Sequence, residues 1–460
     1  MLLTISIVIS SIVAIILVNW FMVKLNRRNS PPTISGWIPW MGVGVEFGVT
    51  PLRYINNAKY MHGPVFTVLA AGKYLTFLMD VDDHRQYFFN SKSVDFQQAV
   101  VDAVQNTASL TPELFLKYHT DMHDLMKGRL APSQHNNYYA DLSNKFSKEI
   151  CKLHKRGEMD LMKLIRKVMF GAVVKNLFGE GIVSGEEKMQ ELEDIFVKFD
   201  DQFEYGSQIP GFLLRDWAAC KQWLLKLFTK FQNDIKPQSS KSMTLGQQMM
   251  SEVGKVGPNF ALMLLWASQA NAIPISFWVI AFLLDDPEEM KKVSAELNDV
   301  LGDKQTDLII DEKIIGKLPS IKRCILETIR LRSPGVIARK VIKSFHLKGY
   351  TIPAGDMLMI SPYWAHRDPR YFPDPHAFKP DRWLAADLDK NLFLDGFVGF
   401  GGGRYQCPGR WFALMEMHVL ITLLLQQLSF TALGPLPKPS QIHVVGTQHP
   451  EHSYHVTFSK

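Results

Sequence analysis

Cys407 is the residue whose neighbours most clearly call for chemistry. It stands in Phe-Gly-Gly-Gly-Arg-Tyr-Gln-Cys-Pro-Gly, residues 400–409, and an apolar helical pattern follows it. A thiol at a helix start meets free backbone N–H groups and the positive end of the helix dipole, which favour the thiolate. The glycines let the backbone approach a large planar ligand closely. A buried cysteine beside a glycine turn has the same signature. Glu327 and Arg330 stand at i,i+3, on one helix face, where a carboxylate and a guanidinium meet. Residues 267–272 read Ala-Ser-Gln-Ala-Asn-Ala. Ala270 cannot relay a proton, whereas the amide of Asn271 both donates and accepts. Pro274 lacks an N–H, so it frees the carbonyl of Ala270 and predicts a bulge there.

The elements that position these residues read as mainly α with small β-sheets. The chain has 460 residues, 47% apolar, and its net charge of +6 is too slight to argue for nucleic acid. Residues 1–23 carry no charge and as a helix would span roughly 35 Å, enough for a bilayer core. Lys24, Arg27 and Arg28 follow, so the positive-inside rule puts the rest of the chain in the cytosol. Residues 1–23 are therefore expected to be a single-pass anchor, 24–44 a basic and Pro/Gly-rich linker, and 45–460 the catalytic domain. Strands are expected at Pro64–Ala70 and Tyr74–Met79, and one central helix at Phe260–Leu284. Lys236–Ser242 reads as a surface loop. Cys151, Cys220 and Cys324 read as small buried hydrophobes. His119 and His123 lack the metalloprotease glutamate between them, and His449, His452 and His455 read as a polar hairpin before a zinc site.

Phe400, Gly403, Cys407 and Gly409 match the signature of the cytochrome P-450 superfamily, which the chain resembles from the anchor onward. Glu327-Thr328-Ile329-Arg330 resembles the family's Glu-x-x-Arg helix, and Phe378–Trp383 resembles the loop supplying a second arginine, Arg382, to that carboxylate. These motifs occur in family order. The resemblance implies the triangular helical fold around haem b, with Cys407 as axial ligand of the iron. Phe400, Gly403, Arg404, Gly409 and Arg339 would contact the cofactor, Arg339 through a haem propionate. It also implies a monooxygenase using O2, with electrons from NADPH through NADPH-cytochrome reductase. Arg404, Arg410, Lys322 and Arg323 are candidate docking contacts.

Departures from the family pattern narrow the reading. Tyr405 stands where the family has Arg or His, and residues 115–130 lack the usual Trp-x-x-x-Arg, with Lys127 and Arg129 as weak substitutes. The acid-alcohol pair of the oxygen-side helix is replaced by Ala270-Asn271. The run Trp266 to Pro274 resembles the sterol hydroxylase subgroup, together with prostacyclin synthase. That narrows the substrate to sterol or lipid. Within the subgroup, residues 36–44, 201–208 with Pro210, 406–408 and 410–413 resemble the oxysterol 7α-hydroxylases, which implies 7α-hydroxylation of a side-chain-oxidised sterol, in cholesterol catabolism and bile-acid synthesis at the endoplasmic reticulum membrane. Substrate is expected to enter from membrane lipid and to lie against Trp266, Asn271, Gly335, Val336, Ala338 and Thr447. The alternatives are a haem-thiolate isomerase that needs no reductase and a non-catalytic haem or sterol binder.

Overall fold

A computed structural model describes residues 27–235, 242–302, 308–388, 393–443 and 445–460, and residues 11, 13–18, 21, 22 and 25 of the N-terminal stretch. The expected loop at 236–242 therefore lies almost wholly outside the described residues, as does much of the expected anchor.

The strands nucleate on a tight hairpin. β-rich Val65–Ala70 and Lys73–Leu78 pair antiparallel across Ala71-Gly72, both at positive φ (48° and 77°), as a two-residue hairpin of matching twist requires. In chain order the strands of the main sheet are β1 (Thr33–Ile34), β2 (Val65–Ala70), β3 (Lys73–Leu78), β4 (Val94–Asp95), β5 (Ile337–Val341) and β6 (Met357–Ile360), in spatial order β1-β2-β3-β6-β5-β4. Both early strands thus lie within a residue of their expected bounds. Arg156–Asp160, Ser429–Ala432 and His455–Ser459 form a second, three-stranded sheet.

Helices fill the middle of the chain as expected. Those used below are α1 (Gln97–Ala108), α2 (Pro112–Arg129), α3 (Asn136–Lys152), α4 (Leu161–Phe178), α5 (Gly185–Asp201), α6 (Phe203–Gln208), α7 (Gly257–Gln269), α8 (Ala272–Asp285), α9 (Pro319–Arg332) and α10 (Arg410–Gln427). The stretch expected as one central helix is two, broken at Ala270-Asn271. Every residue from Ala272 to Leu283 is buried, so α8 runs through the core and owes its apolar character to packing on all sides. The apolar run Leu245–Asp285 is long enough to cross a membrane, but most of it is enclosed by the protein.

Two expectations change at the edges, and the N-terminal stretch is described only in part. The described residues among 11–25 are helical, and Val13, Ile15, Leu17, Val18, Phe21, Met22 and Leu25 are exposed. Residues 31–44 are not a free linker. Thr33-Ile34 pairs with Thr67-Val68, Gly42 bridges Ala70, and Arg27 forms a buried ion pair with Asp356 at 2.6 Å. Gly42 can sit there because any side chain would collide with the Leu69 carbonyl. Cys220 and Cys324 are buried, but Cys151 is exposed near the end of α3.

Candidate active site

Cys407 sits three residues before α10, in a loop shaped by glycine. Gly401 and Gly403 have φ of 68° and 70°, the left-handed region that side chains avoid, and the Cys407 N–H donates to Phe400 O at 2.9 Å, closing the loop. A Cβ on Gly402 or Gly403 would strike Phe88. Cys407 as a residue keeps accessible surface, yet its thiol is set deep in the protein, and burial pushes the thiol pKa up. The N–H of Gly409, the charge of Arg410 and the N–H of Arg410 act in the opposite direction. All three favour the thiolate, as the position before a helix leads one to expect.

Beneath this loop lies a buried charge cluster. Glu327 accepts from Arg330 Nε and Nη2 at 2.9 and 2.8 Å, from Arg382 Nε at 2.9 Å, from the Lys379 N–H at 2.9 Å and from Trp383 Nε1 at 3.1 Å. Arg330 also donates to the carbonyls of His366, Pro375 and Ala377. Sequence order suggested this triad, and the structure brings its three members together with Glu327 and Arg330 fully buried. His366, whose part the sequence did not reveal, ties the cluster to the cysteine loop. Its Nε2 accepts from the Val398 N–H at 3.0 Å, so Nδ1 must carry the proton it gives to Arg330 O at 3.1 Å. Burial, then the charge of Arg330, hold His366 well below the usual imidazole range, which keeps this tautomer neutral.

Arg339, on β5, is the strongest indication of an acidic ligand. Only 5% of it is exposed, and its guanidinium lies 5.4 Å from the Tyr87 ring and 5.0 Å from that of Phe96. It donates to Ala338 O at 2.9 Å, and among the described residues no carboxylate pairs with it. A buried cation of this kind requires an anion. Together with the thiol, its backbone donors and the glycine loop, Arg339 makes a donor set that fits haem, a planar group with acidic side arms.

The helix without Trp-x-x-x-Arg offers histidines instead. His119 and His123, four apart on α2, hold their rings 5.5 and 5.7 Å from Tyr405, and His123 Nε2 meets Gln406 O at 3.2 Å. Gln97 donates to His119 Nδ1 at 3.0 Å, leaving Nε2 as the protonated nitrogen. Arg129 is engaged elsewhere, with Gln248 and Met243 O, and Lys127 is exposed. Arg404 is also exposed, its guanidinium over Tyr405 at 5.5 Å.

On the opposing side, the helix opens where the sequence said it would. α7 ends at Gln269 and α8 begins at Ala272, with Pro274 unable to donate to Ala270 O. Asn271 sits in the break. Its Oδ1 accepts from Thr447 Oγ1 at 3.2 Å, and Thr447 is 3.3 Å from Ser333 Oγ. Gly446 lies close by: a Cβ there would sit 2.9 Å from Asn271 Oδ1 and press on that amide. With Oδ1 engaged, Asn271 presents its NH2 group. Gly335 approaches Val445 so closely that a Cβ would lie 2.7 Å from its carbonyl, and Val336 and Ala338 remain partly accessible beside it. Of the predicted pocket residues, Asn271 and Thr447 are thus brought into contact, and Gly335 lies against the same turn at 445–446.

His449, His452 and His455 do not gather. His452 and His455 are exposed, whereas His449 turns inward to Asp200.

Comparison with known proteins agrees with this geometry. The chain is 42% identical over 439 residues to human 24-hydroxycholesterol 7-alpha-hydroxylase, covering 93% of each chain. It is 41% identical over 435 residues to the mouse protein of that name, covering 93% of this chain and 92% of the other. Similarity to rabbit 7-alpha-hydroxycholest-4-en-3-one 12-alpha-hydroxylase is 28% over 494 residues, 96% of each. The profile of the cytochrome P-450 family matches residues 31–456, and the chain belongs to that family of haem-dependent enzymes.

Proposed function

We propose that this protein is an oxysterol 7α-hydroxylase that inserts one oxygen atom of O2 into a side-chain-hydroxylated sterol such as 24-hydroxycholesterol. The observation that carries the reading is the identity of 42% across 93% of the chain to human 24-hydroxycholesterol 7-alpha-hydroxylase. The overall reaction consumes sterol, O2, NADPH and a proton and yields the 7α-alcohol, water and NADP+. Electrons come from NADPH-cytochrome reductase, for which Arg404, Arg410, Lys322 and Arg323 are the proposed docking cations.

Cys407 would hold the haem iron through its thiolate and Arg339 would neutralise an acidic side arm of the haem, with His119, His123 and Tyr405 packed beside the cysteine loop. Haem held by a thiolate activates dioxygen for attack on an unreactive C–H bond. Asn271 would offer its Nδ2–H to an oxygen acceptor in the site, and the hydrogen bond from Thr447 would keep that amide from rotating. Ala270 contributes by leaving space. Trp266, Gly335, Val336, Ala338 and Thr447 orient the sterol, with affinity supplied by apolar burial. Residues 1–23 anchor the enzyme in the endoplasmic reticulum membrane with the catalytic part in the cytosol. The exposed Trp37 and Trp40 just beyond them suit the lipid interface.

Reconstituted enzyme with reductase, NADPH and a panel of hydroxysterols is expected to give 7α-hydroxylated products by mass spectrometry. Absence of oxygen insertion into every sterol would overturn the reading, and turnover without NADPH would point to an isomerase. Cys407→Ser is expected to abolish the thiolate-type absorption band of the reduced carbon monoxide complex, and its survival would remove Cys407 as ligand.

A further inference from the structure

Beside Asn271 lies a polar cluster that the chemistry at Cys407 does not use. Trp266 precedes Asn271 by five residues, about 7.5 Å along the helix. It donates Nε1–H to Asp200 Oδ1 at 2.9 Å, and its ring stacks on Phe203 at 3.8 Å. From the other side comes His449, two residues after Thr447. Its Nε2 lies 3.7 Å from Asp200 Oδ2, with only 14% and 13% of the two side chains exposed. Its ring stacks on His443 at 4.3 Å, and His443 is fixed in turn by Ser440 Oγ at 2.9 Å.

A separation of 3.7 Å is too long for a hydrogen bond, so the two groups are adjacent without satisfying each other. Oδ1 of Asp200 is taken by Trp266. Among the described residues, nothing hydrogen-bonds Oδ2 or either ring nitrogen of His449. Burial pushes the Asp200 carboxyl up to about 7 and His449 down to about 3, so the imidazole is neutral near physiological pH. Glu204, Asp201 and Arg166 also face Asp200, and His443 and Arg166 face His449. A neutral imidazole beside a partly protonated carboxyl suits a neutral ligand that both donates and accepts, which is an alcohol.

Building on the sterol reading above, we propose that Asp200 and His449 together bind a hydroxyl of the sterol remote from the carbon that reacts. The hydroxyl donates to Asp200 Oδ2 and accepts from His449 Nε2–H, while Trp266 and His443 hold the two groups in place. Apolar burial discriminates weakly between a sterol and its hydroxylated form, whereas a site built to hydrogen-bond a hydroxyl strongly rejects the analogue lacking it. The cluster is thus the specificity determinant that an apolar pocket cannot supply. Both the ring 3-hydroxyl and a side-chain hydroxyl have the required chemistry.

The test is a spectral titration of full-length, haem-loaded protein in phospholipid vesicles. Three sterols are compared: 24-hydroxycholesterol, cholesterol, and a 24-hydroxysterol with a 3-ketone. His449→Phe keeps the ring stack, and Asp200→Asn keeps an oxygen for Trp266. The reduced carbon monoxide spectrum of each variant reports that the haem site is intact, and if one variant fails to load haem the other decides. Both variants are expected to raise the Kd for 24-hydroxycholesterol about tenfold and to leave one of the other two sterols within twofold of wild type. An unaffected cholesterol identifies the side-chain hydroxyl as the ligand; an unaffected 3-ketone identifies the ring hydroxyl. Equal weakening of all three sterols, or none, overturns the Asp200–His449 site. Wild-type protein that binds no sterol at all would instead overturn the sterol reading on which the site depends.

Discussion

Glu327 meets two guanidiniums, so the core beneath the cysteine loop carries one negative and two positive charges with almost no access to water. Such a cluster persists because its lone pairs and protons are nearly all used, and removing one partner of a buried pair typically costs about 3–5 kcal/mol. His366 extends this order to Val398, two residues before Phe400. His366→Leu would leave the Val398 N–H and the Arg330 carbonyl without that partner, each costing about 1–3 kcal/mol. A lower Tm and a reduced ratio of haem to protein absorbance are expected, and an unchanged ratio would show that the loop does not depend on the imidazole. Glu327, Arg330 and Arg382 were legible in the sequence because order and spacing alone mark them. His366 was not, because its role depends on a tautomer set by a backbone amide 32 residues away. For the same reason His119 and His123 read as a defective metal pair, and only the folded contact with Tyr405 shows which surface they serve.

Among the elements, the break between α7 and α8 was the most legible, because a missing N–H at Pro274 has a fixed consequence four residues earlier. The sequence reading set Thr447 in the same pocket as Asn271, but not its hydrogen bond to that amide or the close approach of Gly446, both from a turn some 175 residues later. The helix that follows Cys407 hid a different feature. Glu416, in the middle of α10, is buried, its Oε2 has no hydrogen-bond partner, and burial alone pushes its pKa well above the ordinary carboxyl range. A carboxyl whose folded pKa is raised stabilises below its unfolded value near 4.5, and that contribution is lost as pH rises toward the folded value. Glu416→Met removes this penalty, so it is expected to stabilise by about 1–2 kcal/mol near neutral pH. Differential scanning calorimetry at pH 8 and pH 5 checks both parts: the gain in Tm should be larger at pH 8. A loss of stability at both would mean that Glu416 has a polar role.

At the scale of the whole molecule, the mainly helical body and its early sheet followed from periodicity, but the boundary between linker and domain did not. Pro31–Gly44 has the composition of a linker, yet its backbone pairs with the sheet, a long-range contact that local composition cannot encode. A chain beginning at residue 24 keeps every described interaction from Arg27 onward. It is expected to fold, to load haem and to give the same reduced carbon monoxide spectrum, while sedimenting less with membranes; failure to load haem would give the first 23 residues a structural role. Arg27 sets a mechanical limit of its own. Both of its terminal nitrogens reach Asp356, at 2.9 and 2.6 Å, and Asp356 also accepts from Thr76 on β3 at 2.7 Å. Between the proposed anchor and this clamp lie only Lys24, Leu25 and Asn26, about 13 Å of fully extended chain. The body therefore cannot swing on a slack leash. With the proposed anchor seated in a bilayer, the membrane would grip the sheet almost directly, and the body would meet the lipid at a nearly constant height and tilt through every proposed cycle of sterol capture and release.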